Sequence, residues 1–358
     1  MVRRLSRKQL RESVQGFESL SRRFKFSNCG IISPFNYHKD SINYYLVTKK
    51  KSSKKTGNTV TIAVVIICVI ISFSILYVVF TMNSSSSEIL DNARVGNKIP
   101  TMDDYIENLS VTHPIKSHST PYLDLYLTQN DVNRINQNLS YLDGLRLELN
   151  QLNAEQFIED LKPNPGTVVI YPVFTSAAYK EPGFYTYFSG QCDESCVTDV
   201  SFENPEFQYT SSGATAQILY HVGYDFLTDV DIDKNPKILQ KYDTVILLHN
   251  EYVTKSQFDA FISHPNLIFL HPNALYAEVE VDYEKNTITL IQGHDYPPES
   301  PMKNGFNYEI EQEFHDYEYD NECKNWEFVE IENGFHLNCY PETIIIENFD
   351  ILKKLKDL

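Results

Sequence analysis

An uncharged stretch of 23 residues, positions 60–82, constrains this chain more than any other feature of its sequence. It consists mostly of Val, Ile, Leu and Phe, and it would be apolar on every face of an α-helix. At a rise of about 1.5 Å per residue, such a helix covers a hydrocarbon layer of about 30 Å with modest tilt. A buried core helix is the alternative, but core helices are shorter or amphipathic. The stretch therefore predicts a single transmembrane helix.

Charge is distributed unequally on the two sides of this stretch. Residues 1–59 hold 14 Lys and Arg against 3 Asp and Glu, a net charge of +11, whereas the rest of the chain carries −28. Because basic flanks stay in the cytoplasm, we expect a basic cytoplasmic tail attracted to anionic membrane lipid. The acidic part then lies outside the cell membrane. The whole-chain charge of −17 excludes a nucleic-acid binder that works by bulk positive charge.

The cysteines beyond residue 82 agree with an exported domain. They number four, and each favoured pair brackets one local loop or hairpin: Cys192 with Cys196, and Cys323 with Cys339. Free thiols or a zinc site are the alternatives, and the absence of a C-x-x-C pair disfavours zinc. Glycosylation sequons of the exported part start at Asn83, Asn108 and Asn138.

Composition divides the chain into four regions. These are a cytoplasmic basic tail at 1–59, the transmembrane helix at 60–82, a stalk and helical segment at 83–160, and an extracytoplasmic α/β domain at 161–358. Within the third region, Thr128 and Asp131 have the spacing of a capping box, and apolar residues recur every three or four positions from Val132 to Leu152. This pattern predicts a helix that packs on the following domain or on a second copy of the chain.

From residue 167 onwards, apolar strands alternate with helices. Thr254 and Gln257 have the spacing of a second capping box. The alternation predicts right-handed crossovers and a parallel, doubly wound sheet. Two hairpins follow, around residues 284–286 and around Asn333-Gly334, so we expect a β-rich C-terminal extension. The predicted strands are 168–174, 224–227, 244–248 and 267–270, and the predicted helices are 214–222 and one that starts at Thr254.

Polar side chains follow the ends of the predicted strands. Ligands of doubly wound sheets bind outside the carboxyl ends of the strands, and a carboxylate, two imidazoles and a phenol there could form a metal site or an acid/base pair. For each residue taken singly, turn formation or helix capping is the alternative. The residues selected by this rule are Thr175, Ser176, Tyr179, His249, Asn250, Glu251, Tyr252, His271 and Asn273.

Several reaction classes are disfavoured. No G-x-S-x-G elbow occurs, no cysteine follows the third predicted strand, and no Gly-rich phosphate loop follows the first. Nucleophilic serine or cysteine catalysis and nucleotide binding are therefore not expected.

The motifs GYD, TDVDI, KYD, HNEY and PN occur in this order between residues 223 and 273. The series resembles the C-terminal domain of the N,N-dimethylformamidase large subunit, over residues 167–282. The resemblance implies a flavodoxin-type, class I glutamine-amidotransferase-like fold without the amidotransferase cysteine, and a mononuclear iron held by tyrosines and a glutamate. The exported part resembles more closely a set of membrane-anchored proteins from ammonia-oxidising archaea, for which it implies no activity.

The resemblance implies roles for individual residues. Glu251 corresponds to the metal-binding glutamate, Tyr179 to one tyrosine ligand, and His249 to the adjacent histidine, which would act as a base or orient water. Glu206 stands where the second tyrosine is expected, so Tyr209, three residues on, is the substitute ligand. His271 is another substitute, and an imidazole ligand would favour zinc or ferrous iron over ferric iron.

The sequence thus predicts a membrane-anchored relative of a metal-dependent amide hydrolase. A bound iron or zinc ion would lower the pKa of a water molecule toward ~7 while His249 moves protons. The alternative is a non-catalytic surface module that binds a glycan, peptide or envelope partner. Two other features are interpreted as structural: His294, near a strand end, and the acidic residues of 309–322, which suit an edge strand better than a calcium site.

Overall fold

The computed structural model describes residues 100–136, 144–203, 205–300, 302, 304–306 and 323–358. The predicted cytoplasmic tail, transmembrane helix, Asn83, Asn138 and acidic stretch lie outside these ranges. Within them, no helix combines the length and the apolarity needed to cross a membrane. The described residues form a mixed α/β structure with one mainly parallel sheet and β-rich parts.

The first described elements are a small antiparallel sheet and three helices. β2 (Leu123–Leu127) lies in the centre of this sheet and pairs with β1 (Ile115–Ser119) and β3 (Arg146–Leu149). The leucines of β2 are at most 3% exposed, so residues 102–127, part of the predicted stalk and helical segment, are folded and packed. The elements are α1 (Met102–Thr112), β1 (Ile115–Ser119), β2 (Leu123–Leu127), α2 (Gln129–Asn136), β3 (Arg146–Leu149) and α3 (Ala154–Leu161). Asn108, one of the predicted sequon residues, is exposed on α1.

The predicted helix through Leu152 begins as expected and then gives way to a strand. The capping box is present, because the amide of Asp131 donates to Oγ1 of Thr128 at 3.0 Å. Residues 146–149, however, form β3, and the side chain of Leu152 is 90% exposed. The leucines at 145, 147 and 149 alternate with polar residues, and this strand periodicity is hidden within the three- and four-residue spacing of the longer run.

The remaining elements build two sheets. They are β4 (Thr167–Tyr171), α4 (Val173–Ala178), α5 (Phe184–Phe188), β5 (Val200–Ser201), α6 (Gly213–His221), β6 (Asp225–Thr228), α7 (Asp229–Lys234), β7 (Thr244–Leu247), β8 (Tyr252–Val253), α8 (Lys255–Ile262), β9 (Leu267–Phe269), β10 (Ala277–Asp282), β11 (Thr287–Gln292), β12 (Phe328–Ile331), β13 (Gly334–Leu337) and α9 (Asp350–Lys356).

The larger sheet has six strands in the order β12-β13-β9-β7-β4-β6, and all its pairs are parallel except β12 with β13. Val168, Val169, Ile170 and Tyr171 of β4 have no exposed surface, as expected for a central strand covered on both faces. The predicted strands and helices of this sheet are confirmed to within a few residues, and the capping box of α8 is present, with the Gln257 amide 3.1 Å from Oγ1 of Thr254.

The two predicted hairpins belong to different sheets. β10 and β11 join β5 and β8 in a four-stranded sheet of order β5-β11-β10-β8, whereas β12 and β13 extend the six-stranded sheet through the parallel pair of β13 with β9. The β-rich part is therefore not one extension.

Cys192 is bonded to Cys196 and Cys323 to Cys339, which is the favoured pairing.

Strand order identifies one edge of the larger sheet as a place for a ligand. The parallel strands appear in the chain as β4, β6, β7 and β9 but lie in the order β6-β4-β7-β9. The direction of winding therefore reverses between β4 and β7. In open α/β sheets, ligands bind beyond the carboxyl ends of the strands at such a reversal.

Candidate functional site

Glu251 lies beyond the carboxyl end of β7, where the chain passes from the six-stranded sheet into β8 of the other sheet. The buried hydroxyl of Thr175, on α4, accepts hydrogen bonds from the amides of Glu251 at 3.0 Å and Tyr252 at 3.2 Å. The carbonyl oxygen of Glu251 accepts a bond from the amide of Ala277 at 2.9 Å. Backbone contacts on both sides thus fix a glutamate whose side chain is completely buried.

Four side chains surround the carboxylate of Glu251, and together with it they are called the Glu251 cluster. The hydroxyl of Tyr179 lies 2.9 Å from Oε2, and Nε2 of His249 lies 3.0 Å from the same oxygen. Nε2 of His294 lies 2.5 Å from Oε1, and the hydroxyl of Tyr185 lies 3.3 Å from it. The two hydroxyls are 2.6 Å apart, and the tyrosine rings stack with centroids 4.0 Å apart.

The members of the cluster come from four separate segments. Tyr179 ends α4, which follows β4, and His249 follows β7, so these two lie at the reversal point of the sheet. Tyr185 is on the five-residue helix α5. His294 is in the turn after β11, where it and Asp295 both have positive φ angles, of 53° and 63°. Tyr179, Tyr185 and His294 are partly exposed, so the cluster reaches solvent through them.

Charge in the cluster resides on the carboxylate. Burial alone would raise the pKa of Glu251, but the charges and hydrogen bonds of His294 and His249 outweigh it and hold that pKa well below the usual range. Burial, followed by the negative charge of Glu251, raises the pKa values of Tyr179 and Tyr185 well above 10. Both phenols are therefore neutral, and each donates a proton toward an ionised carboxylate.

Backbone contacts determine which nitrogen of His249 faces Glu251. Its Nδ1 lies 2.6 Å from the carbonyl oxygen of Thr210, which can only accept, so Nδ1 carries a proton. Nε2 is buried and lies 3.0 Å from Oε2 of Glu251, within ion-pair distance. The ring is thus held in place with Nε2 directed at the carboxylate.

The structure brings Tyr179, His249 and Glu251 together, and it puts the other two predicted ligands elsewhere. The ring of Tyr209 packs against Tyr340 at 4.8 Å. His271 is buried behind His249, with the two rings stacked at 3.5 Å, and burial lowers its pKa well below 6.5. His271 therefore supports the position of His249 and does not face the carboxylate.

Two members of the cluster, Tyr185 and His294, are absent from the sequence-based set. Tyr185 provides the second phenol that the resemblance assigned to the position of Glu206, whose side chain is exposed. The Tyr-x₅-Tyr spacing with Tyr179 was the available signal. His294 was interpreted as structural, and the Gly-His-Asp-Tyr turn that aims it at Glu251 carries no Asn-Gly signal.

No group of three or more His, Cys, Asp and Glu side chains suited to a metal ion occurs in the part of the chain that the structure describes. The donors nearest Glu251 are instead two phenols and two imidazoles. An open surface depression of about 510 Å³, formed by residues 151–159, contains no member of the cluster.

Residues 153–315 match the model of a family described as N,N-dimethylformamidase beta subunit-like, C-terminal. The matched segment contains the whole Glu251 cluster and covers somewhat less than half of the chain. The protein therefore carries a dimethylformamidase-like domain. No curated protein sequence matches the chain.

Proposed function

We propose that this domain binds one metal ion between Tyr179, Tyr185 and Glu251 and hydrolyses a small amide outside the cell membrane. The observation that supports the proposal is that three oxygen donors, the hydroxyls of Tyr179 and Tyr185 and the carboxylate of Glu251, lie next to one another. The two phenol oxygens are 2.6 Å apart and lie 2.9 and 3.3 Å from the carboxylate oxygens. Ligands at right angles on an ion with bonds of about 2.0 Å are about 2.8 Å apart, so this spacing suits three neighbouring positions on one ion.

The donor set also bears on which ion would bind. Two phenolates and a carboxylate are hard oxygen ligands, which favour ferric iron, whereas participation of an imidazole would favour zinc or ferrous iron. Because both phenols are neutral without a cation, metal binding would release their protons and would strengthen as the pH rises. When bound, the ion would supply Lewis acidity toward a carbonyl oxygen and a water molecule of lowered pKa.

His249 is the proposed base. Its Nδ1 hydrogen bond to Thr210 orients Nε2 toward the carboxylate, 3.0 Å from Oε2. Nε2 would accept a proton from the attacking water and return it to the amide nitrogen as the amine leaves. The stacked ring of His271 keeps the imidazole in this orientation.

The finer fold assignment is part of the proposal. Counted in chain order, β4, β6, β7, β9 and β13 lie in the order 2-1-3-4-5, which is the order of flavodoxin-like sheets. This agreement supports a flavodoxin-type, glutamine-amidotransferase-like domain whose ligand site lies at the β4–β7 reversal.

Elemental analysis of the full chain, purified in a mild detergent, tests the proposal. We expect about one iron or zinc ion per chain, lost in Glu251→Ala and retained in Tyr209→Phe, which removes a hydroxyl outside the cluster. The same samples would release ammonia from formamide, or dimethylamine from N,N-dimethylformamide, only when metal is present. Absence of metal from the unsubstituted protein would overturn the proposal.

A non-catalytic surface module is the second candidate, and the complete burial of the Glu251 side chain favours it. A module of this kind would bind a glycan, peptide or envelope partner on the acidic exported surface. It predicts the absence of amine release from every amide tested, even in samples that contain metal.

Anchoring through residues 60–82 gives the domain its proposed location. The apolar stretch and the lysines before it support a single span with the N-terminus in the cytoplasm and membrane lipid as a partner. An exported location also agrees with the two disulfides, which persist in oxidising compartments.

A further inference from the structure

Helix α5, which carries Tyr185, is too short to maintain its own position. It has five residues, Phe184–Phe188, whereas isolated helices below about 12 residues are marginal in water. The hydroxyl of Tyr185 nevertheless has to remain 2.6 Å from that of Tyr179. Its position therefore depends on what holds the two ends of α5.

The beginning of α5 is held by burial. Phe184 has no exposed surface, and its ring packs edge-on against Tyr252 with centroids 5.1 Å apart. The amide of Gly183 donates to Oγ1 of Thr186 at 3.0 Å, which closes the first turn. These contacts do not involve the residues that follow the helix.

The end of α5 is held by a disulfide loop and by the ring of Phe188, which packs against His294 with centroids 5.4 Å apart. The amide of Gln191 donates to the carbonyl oxygen of Thr186 at 3.1 Å, and the next residue, Cys192, is bonded to Cys196. Cys196 is only 6% exposed and Val197 is completely buried, in the 3₁₀ helix Glu194–Val197 that packs against α5. The bond thus ties the exit of α5 to a buried anchor.

We propose that the Cys192–Cys196 disulfide is a redox-controlled clasp that positions Tyr185 against Glu251, so that its reduction loosens α5 and weakens the site. The part that concerns metal rests on the proposed function, whereas the part that concerns α5 does not. Cys192 is partly exposed, so a thiol in solution can reach its sulfur. The clasp would therefore make the site sensitive to the ratio of reduced to oxidised thiols outside the cell membrane.

A small dithiol would supply the electrons that reduce the Cys192–Cys196 disulfide. Its thiolate attacks Sγ of Cys192, a mixed disulfide forms, and Cys196 leaves as a thiolate. The second thiol of the reagent then closes on the first, which releases Cys192. In total, the protein disulfide gains two electrons and two protons, and the dithiol is oxidised to a cyclic disulfide.

The second disulfide of the chain is a built-in control. Cys323 and Cys339 are each only 2% exposed, so mild reduction without denaturant would leave them bonded while it opens Cys192–Cys196. Mass spectrometry of alkylated peptides establishes which pair has been reduced.

Hydrogen exchange and metal release, measured on the full chain in detergent, test the clasp. After selective reduction, we expect the amides of residues 185–191 to exchange at least tenfold faster, and a chelator to remove metal at least tenfold faster. Reoxidation should restore both rates. A Cys192→Ser/Cys196→Ser double variant should match the reduced protein without any reagent.

Unchanged exchange over residues 185–191 in both the reduced protein and the double variant would overturn the clasp. A protein that contains no metal but shows the faster exchange would instead refute the proposed function and leave the clasp intact. Faster exchange spread over the whole domain would mean a general loss of stability, and it would also overturn the clasp.

Discussion

Glu251 keeps a negative charge inside the protein because hydrogen-bond donors surround it. A buried carboxylate without partners would take up a proton, but two imidazoles and two phenols lie within 3.3 Å of its oxygens. The buried charge of Glu251 depends on all of these donors, because the loss of one of them leaves a charged acceptor partly unsatisfied. Substitutions in the cluster should therefore have effects out of proportion to their size.

Tyr185→Phe is the first prediction at this scale. It removes one oxygen from the proposed donor set and keeps the ring that stacks on Tyr179. We expect metal affinity to fall at least tenfold, measured by competition with a chelator of known affinity. Tyr187→Phe, on the same helix but outside the cluster, is the matched control. Equal affinities of the two variants would contradict the role given to Tyr185.

Glu342 allows a prediction of pH dependence. It is buried, its oxygens accept the amides of Ala214 and Thr215 at 2.9 and 2.7 Å, and burial raises its pKa to about 7. Because the folded pKa lies above the unfolded value, its contribution to stability is complete below about pH 4.3 and is lost as the pH rises toward 7. This loss amounts to about 3 kcal/mol in the free energy of unfolding.

In Glu342→Gln, this loss of unfolding free energy with rising pH should disappear. The free energy of unfolding of each protein can be measured with urea between pH 4 and 8. Over this interval, the value for the variant should rise by about 3 kcal/mol relative to that of the unsubstituted protein. Glu347→Gln, which changes an exposed glutamate of the same segment, is the control. Parallel stability curves for Glu342→Gln and the unsubstituted protein would refute the assignment.

At the scale of elements, β13, which lies between the edge strand β12 and β9, depends on one glycine. Gly334 has a φ angle of 153°, and an added Cβ would collide with the carbonyl oxygen of Leu267 on β9. Close approach of the two backbones allows the hairpin to continue the parallel sheet, because no side chain separates the strands at this point.

Gly334→Ala should therefore destabilise the protein by about 2 kcal/mol or more, because backbone atoms must move apart. Gly190→Ala is the matched control, since its φ angle of 75° is also positive but no described atom lies within 4 Å of the added Cβ. That control should lose only about 1 kcal/mol, from the unfavourable φ angle. Denaturant titrations that give the same loss for both variants would exclude the steric explanation.

Elements with strong local signals were predictable from the sequence, and the others were not. β4 contains an apolar run, Val168–Ile170, and α8 begins with the hydroxyl and amide of a capping box, so each could be assigned from a few neighbouring residues. β3 could not, because its alternation is short and lies inside a leucine-rich run. Local patterns also do not reveal which sheet a hairpin will join, since that depends on distant partners.

The site could be predicted only in part, for the same reason. Tyr179, His249 and Glu251 follow predicted strands, and the topology of a parallel sheet brings them to one edge. Tyr185 is positioned by a five-residue helix and a disulfide loop, and His294 by a turn of two left-handed residues. Neither arrangement has a periodic signal, so the sequence points to the substitute ligands Tyr209 and His271 instead.

At the scale of the whole molecule, the proposed membrane span predicts whether the protein remains in the membrane fraction. The full chain should stay with the membrane after an alkaline carbonate wash, because residues 60–82 would be held by the hydrocarbon layer. A variant that lacks residues 60–82 should appear in the wash. Protease added to intact cells should digest the acidic domain and leave the basic tail protected, and protection of the domain would contradict the predicted orientation.

The passage of the chain from one sheet to the other at Glu251 determines what a fragment of this protein can do. His249 and Glu251 follow β7 of the six-stranded sheet, whereas His294 follows β11 of the four-stranded sheet. Any gene fragment that stops before residue 294 would lack His294. Any graft that transfers only one sheet would separate members of the Glu251 cluster. Recombination can therefore shuffle the antiparallel sheet of β1–β3 more freely than the two sheets that share Glu251.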